Sequence, residues 1–419
     1  MFRRYLLILL LIYKTALADS SVLTLDKAIQ AVLDHNADIR AAHYHSDAAR
    51  ARITQAKALE DPMIGVMFWN VPRDTANIRQ GEEIDYRIDQ KIPFPGKRYL
   101  KGKSARYEAD MENHLAQAKV EDVLFDLKET YSMAYKLEEQ KRINSKMQSL
   151  LQLLVTSTQA WYASNQTTTD TVLKAQLELT RIKNERLMLD QEETTHLSHL
   201  RALMNLKSHE EIIFPNQREF PPIPESESER EMLMEDSFKH RPDIQAMESA
   251  EKKEKTNLTL AKSNLIPDFS LGFQYNQTRD MKDTWTGSAS INFPLLFLGK
   301  RHAEIQEAKA NLKATQAERE SMLQHQHHEI DQAYTTVFAA KKILNQFQKE
   351  ILPQSQLLFE SARESYVAKK IDFMSLIDAA RMYREAQMNY AEQESFLGIA
   401  IAKLERMMGK SLNHSKGNL

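Results

Sequence analysis

The sequence predicts a mainly α-helical protein with a small β part, and three observations carry this prediction. The chain has 419 residues but only 10 glycines, and its abundant Ala, Leu, Glu, Lys and Gln favour long helices. Four short segments instead alternate apolar and polar residues with a period of two, as strands do. The pattern of helices and strands occurs twice, which indicates the duplication of one structural unit.

The duplication is read from matched segments. Ile53–Pro62 recurs as Leu258–Pro267, a shift of 205 residues, and Gly96–Arg98 recurs as Gly299–Arg301, a shift of 203. Tyr131 corresponds to Tyr334, and Tyr162 to Tyr366. We therefore expect a first repeat over residues 19–207, a linker over 208–229, a second repeat over 230–409 and a flexible tail over 410–419.

The N-terminus is typical of an export signal. Arg3 and Arg4 precede an apolar run, and Ala16–Ala18 fits a cleavage site for a signal peptide over residues 1–18. The alternative is an uncleaved anchor helix, although the apolar run is short for a membrane span. The chain contains no cysteine, which excludes disulfides and thiolate metal sites.

Each repeat contains one predicted β-hairpin, over about 62–93 and about 267–294. The alternation places apolar side chains on one face of each hairpin and polar side chains on the other. The predicted apolar face includes Ile84, Tyr86, Ile88, Phe269, Leu271, Phe273, Trp285 and Ile291. This pattern fits the lipid face of an outer-membrane barrel, and it equally fits a soluble hairpin packed on a helix.

The remaining segments of both repeats are helical. We expect helices from Tyr99 to about Trp161 and from the break at 164–170 to about Leu206. The second repeat gives one helix from Lys300 to about Tyr366 and another that ends near Met408. The linker is rich in proline and is not expected to be helical.

Two hairpins supply only four strands, which cannot close a barrel. Open sheet edges are not tolerated in lipid, so hairpins placed in a membrane would have to be shared among several chains. Three chains would give about twelve strands, within the range known for such barrels.

These features together resemble a TolC-type outer membrane efflux protein. The resemblance rests on the whole-chain repeat, on Pro62 and Pro267 before each hairpin, and on the hairpin exits Pro93–Arg98 and Pro294–Arg301. It also rests on the turn pattern Tyr366 to Ala379, echoed by Tyr162 to Ala175. The exit form resembles the heavy-metal branch of the family, although Lys97 and Arg98 also suit a membrane interface.

The resemblance implies a homotrimer that forms one twelve-stranded transmembrane β-barrel in outer-membrane lipid above a periplasmic α-barrel of long antiparallel helices. The linker and the C-terminus would lie in an equatorial band around this tunnel. A periplasmic adaptor protein would join the duct to an inner-membrane pump, with the RND type favoured.

The family's closed state carries acidic rings at the periplasmic helix tips. One ring position matches Asp378, while the other is occupied by Ser375, so Asp372 and Asp170 are substitutes at the turns. Asn165 and Lys369 replace the usual turn glycine, and together with Lys370 they are candidates for adaptor contact. The default interpretation of all these residues is a solvated polar surface.

No catalytic constellation, phosphate loop or cofactor motif occurs in the sequence, so an enzyme is not expected. The formal net charge of −2 gives no indication of nucleic-acid binding. His325, His327 and His328 form a cluster, but no carboxylates complete a metal site, so no metal is assigned.

The sequence therefore predicts a passive outer-membrane exit duct of a tripartite efflux system, with heavy-metal cations as the favoured cargo. The alternatives are drug efflux or type I protein secretion through the same duct. A protein of another class, a periplasmic coiled-coil adaptor or scaffold, is the further alternative.

Overall fold

The computed structural model describes residues 22–73, 78, 81–207, 212–223, 241–292 and 298–412. The predicted signal peptide, the outer parts of the linker, Phe293 and Pro294 of the second hairpin, and residues 413–419 of the tail lie outside this range. In the part of the chain that the structure describes, no helix has both the length and the apolar character needed to cross a membrane.

The described residues form a mainly helical fold with one small sheet. The first half contains helices α1 and α2, strands β1 and β2, and helices α3 and α4: Leu25–His35, Ala37–Lys57, Met63–Trp69, Glu83–Ile92, Lys97–Ala163 and Thr169–Met204. The second half contains α5, β3, β4 and α6: Pro242–Ser263, Asp268–Thr278, Thr284–Asn292 and Leu298–Gln346. A π-helical turn and helices α7 and α8 follow: Phe347–Ile351, Leu352–Val367 and Phe373–Met408.

The four strands form one antiparallel sheet in the order β1-β2-β3-β4. The hairpins meet through β2 and β3, where Ile88 lies opposite Phe273 and Tyr86 opposite Tyr275. Both predicted hairpins are present, and β1 and β4 are the edges of the four-stranded sheet within the chain.

The chain divides into two compact units. One unit takes its described residues from 1–39, 120–237 and 329–419, and the other takes them from 40–119 and 238–328. The first unit contains the whole of α1, α4, α7 and α8, the C-terminal parts of α3 and α6, and the described part of the linker, and the second contains the sheet.

Two hydrophobic cores of the first unit are copies of each other. In one, Leu127, Ala134 and Met204 are buried, and in the other Ile330, Val337 and Met408 occupy the corresponding positions. The shift is 203 residues for the first two pairs and 204 for the last. The duplication read from the sequence is thus also a duplication of packing.

Four helix ends show the same shift. Asn165, Asn205, Lys369 and Gly409 each have positive φ, between 54° and 65°. Each closes its helix with the paired hydrogen bonds of a Schellman motif, as in Lys370 N to Ser365 O at 2.8 Å and Gln166 N to Trp161 O at 2.7 Å. Asn165 and Lys369 therefore occupy glycine-like turn positions, as the sequence suggested.

The second repeat differs from the first by a π-helical turn. The sequence predicts one plain helix to Tyr366, whereas the structure widens it over Phe347–Ile351, just before Pro353. Proline has no N–H to donate and its ring clashes with the preceding turn, and the wider turn relieves this clash. The turn also contains the one extra residue that changes the repeat shift from 203 at Tyr334 to 204 at Tyr366.

The left-handed backbone at Lys369 gives a stability prediction. A residue with a Cβ loses about 1 kcal/mol in this conformation, so Lys369→Gly should raise the melting temperature of the purified protein. Helical circular dichroism at 222 nm would measure it. Lys370→Gly, at a neighbour outside the left-handed region, is the matched control and should not stabilise. Equal effects of both variants would contradict the strain.

Candidate functional site

The candidate site is the pair of tip turns, defined as residues 164–168 between α3 and α4 and residues 368–372 between α7 and α8. The two turns are joined in the structure, because Lys369 Nζ donates to Gln166 Oε1 at 3.3 Å. Asn165, Lys369 and Lys370, the predicted adaptor contacts, are all exposed. The surface of the tip turns is therefore polar and accessible within a single chain.

The three predicted gate acids each have a local partner. Asp372 caps α8, since its carboxylate accepts from Ser375 N at 2.9 Å, and this hydrogen bonding lowers its pKa. Asp170 pairs with Lys174 at 2.7 Å within the first turns of α4. Asp378 pairs with Arg381 at 3.3 Å and remains more than half exposed. Asp372 thus has a capping role, while Asp378 keeps a carboxylate accessible to solvent.

Charged pairs that the sequence analysis missed join α4 to α8. Arg381 Nε donates to Glu178 Oε1 at 2.9 Å, and Arg384 Nη1 contacts Glu185 Oε2 at 2.7 Å. The hydrogen bonds from Arg381 hold the pKa of Glu178 below its ordinary value, although partial burial opposes this. We call these two pairs the ionic seam. Glu178 and Arg381 lie 203 residues apart, close to the repeat shift of 204, and their opposite charges were the available signal.

A hydrophobic core, here called the tip core, underlies the ionic seam. It combines both repeats: α3 contributes Leu151 and Leu154, α4 contributes Ile182, and α8 contributes Phe373 and Ile377. The tip core and the ionic seam together fix the first repeat against the second at the turns.

Tyr366 adds aromatic contacts next to the tip core. Its ring centroid lies 5.5 Å from that of Trp161 and 6.1 Å from that of Phe373. The last turn of α7 is thereby held against both α3 and α8.

The predicted apolar residues of the strands lie on one face of the sheet. Register places Phe269 opposite Ile291 and Ile92, and Ile84 opposite Phe68. Tyr86, Ile88, Phe269, Leu271, Phe273, Trp285 and Ile291 are exposed on this face, and Ile84 is half-buried. A broad exposed apolar face of this kind indicates a site of contact with a membrane or with another protein.

The opposite face of the sheet is polar and acidic. Its strands carry four carboxylates against two cations: Glu83, Asp85, Asp89 and Asp268 against Arg87 and Lys91. Met63, Met67 and Trp69 also lie on this face, and Trp69 Nε1 donates to Asp85 Oδ2 at 2.5 Å.

The hairpin exit is fixed by a buried lysine. Lys97 is only 4% exposed, and its Nζ donates to Ile266 O at 2.7 Å and to Asp268 Oδ1 at 2.8 Å. Arg98 donates to Lys57 O at 3.0 Å. Lys97 thus joins the exit of one hairpin to the start of the other. The sequence analysis considered Lys97 for a membrane interface and did not predict this contact.

The described part of the linker is anchored by Arg218, another residue that sequence reasoning missed. The nearly buried guanidinium donates to Ser132 Oγ at 2.7 Å and lies 5.0 Å from the ring centroid of Phe220. It also packs so closely against Gly398 that any side chain there would collide with it. Burial lowers the pKa of Arg218.

The histidine cluster lies on an exposed surface of α6. His325, His327 and His328 are exposed. Among the residues with described positions, no three histidine or carboxylate side chains are grouped to hold a metal ion.

The fold is that of outer-membrane channels. The chain is similar to CmeC of Campylobacter jejuni, an outer membrane channel, with TM-score 0.79, 14% identity and coverage of 94% of this chain and 87% of CmeC. It is similar to the outer membrane protein VceC of Vibrio cholerae, with TM-score 0.77, 16% identity and coverage of 93% and 96%. For CusC, a protein that forms a transmembrane channel, the values are 0.78, 15%, 92% and 92%.

Sequence comparison points the same way. Residues 233–410 match the family model described as outer membrane efflux protein. No curated protein sequence gives a match. The family model thus matches the second repeat, while the similarity of fold covers more than nine-tenths of the chain.

The ionic seam gives a stability prediction. Arg381→Gln removes the partner of the largely buried Glu178 carboxylate and should destabilise the fold by about 1–3 kcal/mol. Arg142→Gln, which removes a pair with Glu139 three residues away on the same helix α3, is the matched control and should cost under about 1 kcal/mol. Thermal unfolding would compare them, and equal losses would contradict a structural role for the ionic seam.

The lowered pKa of Glu178 predicts acid sensitivity. Its stabilising effect is fully present above the ordinary glutamate pKa of 4.5 and is lost as pH falls through the lower folded-state pKa. The melting temperature of the wild type should therefore drop more steeply below about pH 4.5 than that of Glu178→Gln. Parallel pH profiles of the two melting temperatures would show that Glu178 does not contribute to the pH dependence of stability.

Proposed function

We propose that this protein is the outer-membrane duct of a tripartite efflux system, through which substrates leave the cell passively. The observation that carries this proposal is the four-stranded sheet, apolar on one face and polar on the other, in a chain whose longest helices have 36 to 67 residues. The similarity to outer membrane channels over more than nine-tenths of the chain supports it.

The proposed assembly is a homotrimer in outer-membrane lipid, with its helices in the periplasm. β1 and β4 are edge strands, and edges are not tolerated in lipid, so each must pair with another chain. Three copies would close a barrel of about twelve strands. The apolar face of the sheet, which includes Ile84, Phe269 and Ile291, would then contact lipid.

The tip turns are the proposed contact for a periplasmic adaptor, which would connect the duct to an inner-membrane pump, favoured to be of the RND type. Asn165, Lys369 and Lys370 are exposed there and present polar groups to a partner. Asp378 is the proposed gate residue, because three copies of its half-exposed carboxylate would ring a narrow pore. Asp170 and Asp372 add negative charge at the same turns.

Heavy-metal cations are the proposed cargo. The hairpin exit Pro93–Arg98 resembles the heavy-metal branch of the family, and the acidic excess on the polar strand face favours passage of cations over anions. Drug efflux and protein secretion through the same duct are the alternatives that the test must distinguish.

Membrane extraction tests the duct itself. The protein should be recovered from outer membranes with detergent as a trimer, measured by native mass spectrometry, and should form conducting pores in planar bilayers. A soluble periplasmic monomer would instead identify an adaptor or scaffold protein and would contradict the duct.

Deletion of the gene tests the cargo. We expect the deletion strain to lose tolerance to zinc, cobalt or copper and to regain it when the gene is supplied on a plasmid. A strain that keeps metal tolerance but becomes sensitive to drugs would contradict the metal cargo and leave the duct intact.

A further inference from the structure

Two carboxylates and one amide lie close together on the polar face of the sheet, where β2 begins. Glu83 and Asp85 are two residues apart on β2 and therefore project from the same side of the strand. Register places Asp85 opposite Asn276 of β3, so the group includes residues of both hairpins. The Glu83 carboxylate is within hydrogen-bonding reach of both Asp85 and Asn276. Three side chains with oxygen donors thus converge at this point.

Asp85 is the buried member of the group, and half of its carboxylate has no partner. The residue is only 4% exposed, and its Oδ2 accepts the indole N–H of Trp69 at 2.5 Å. Within the described part of the chain, Asp85 Oδ1 and Asn276 Oδ1 are both shielded from solvent and have no hydrogen-bond partner. A buried carboxylate is costly unless its charge is compensated, and one indole N–H compensates it only in part.

The two cations on the same face of β2 are paired with other carboxylates. Arg87 donates to Asp89 at 2.9 Å, and Lys91 Nζ lies 3.5 Å from a carboxylate oxygen of Glu60. Neither cation therefore neutralises the pair formed by Glu83 and Asp85. Two neighbouring carboxylates must share a proton unless a cation binds between them and keeps both ionised.

We infer that Glu83, Asp85 and the amide oxygen of Asn276 bind a hard divalent cation of the Ca²⁺ class, with water completing its coordination. A donor set of carboxylate and amide oxygens suits Ca²⁺, whereas softer metal ions prefer nitrogen and sulfur donors. The set contains two carboxylates rather than three, and the amide supplies the third protein oxygen. So few protein ligands predict a dissociation constant of about 0.1 to 1 mM, the range of extracellular calcium modules.

The bound cation would fasten the first hairpin to the second. Its ligands come from β2 and β3, the two strands through which the hairpins meet. A cation that binds the folded sheet and not the unfolded chain stabilises the fold by mass action. All three ligands belong to one chain, so the inference goes beyond the proposed duct and depends neither on the trimer nor on the cargo.

Terbium luminescence tests the site, because Trp69 is in direct contact with Asp85. Tb³⁺ occupies Ca²⁺ sites and emits strongly when a nearby excited aromatic ring transfers energy to it. The purified full-length protein in detergent, titrated with Tb³⁺ under tryptophan excitation, should give a saturable emission that Ca²⁺ displaces at lower concentrations than Zn²⁺. The emission should be lost in Trp69→Phe and kept in Trp285→Phe, since Trp285 lies on the apolar face.

Substitution of the ligands should abolish the same emission. Asp85→Asn should abolish it, whereas the matched control Asp89→Asn should keep it, because Asp89 lies on the same face of β2 and pairs with Arg87. Glu83→Gln is the second ligand variant and serves if circular dichroism shows that Asp85→Asn does not fold. Emission that survives Trp69→Phe, emission that survives the folded ligand variants, or displacement by Zn²⁺ before Ca²⁺ would each overturn the inference.

Thermal unfolding gives a second readout. At a Ca²⁺ concentration about ten times the dissociation constant, the melting temperature of the wild type should be higher than in EDTA. Asp89→Asn should keep this shift, and Asp85→Asn and Glu83→Gln should lose it. A wild type with no terbium emission and equal melting temperatures in Ca²⁺ and EDTA would show that the carboxylates share a proton and would overturn the inference. The proposed duct would still stand, because the trimer and its pores are measured separately.

Discussion

The fold depends on burying the apolar stripes of very long helices. Most of the stability of helices in proteins comes from tertiary packing of an apolar face, so the helix of 67 residues must be packed along its length against other helices. The duplication meets this requirement with two equivalent cores, one around Leu127 and one around Ile330. The helix ends set the register of these cores, because four helices end in Schellman turns at positions matched between the repeats. Asn165 matches Lys369, and Asn205 matches Gly409.

Much of this fold could be predicted from the sequence. The strands were visible because a period of two differs from a helical period, and both hairpins formed where the alternation placed them. The turn residues Asn165 and Lys369 were visible because the repeat aligns them with each other. The π-helical turn was not predicted, although Pro353 and the change of shift from 203 to 204 were both present in the sequence.

The contacts between elements could not be predicted in the same way. The pairing of Arg381 with Glu178 depends on how α8 is rotated against α4, which no local pattern specifies. Lys97 looks like a surface residue in sequence, yet the close approach of the two hairpins buries it against Asp268. Arg218 likewise becomes an anchor only because Gly398 leaves room for its guanidinium.

The π-helical turn has a consequence for how the two halves of the gene could diverge. An extra residue in a plain α-helix rotates every later side chain by about 100°, which would move Leu358 away from the face that its counterpart Leu154 uses. The wider turn absorbs the insertion instead, so the helix beyond it keeps its phase. A length change that would otherwise disrupt every contact downstream is thus confined to five residues, Phe347–Ile351.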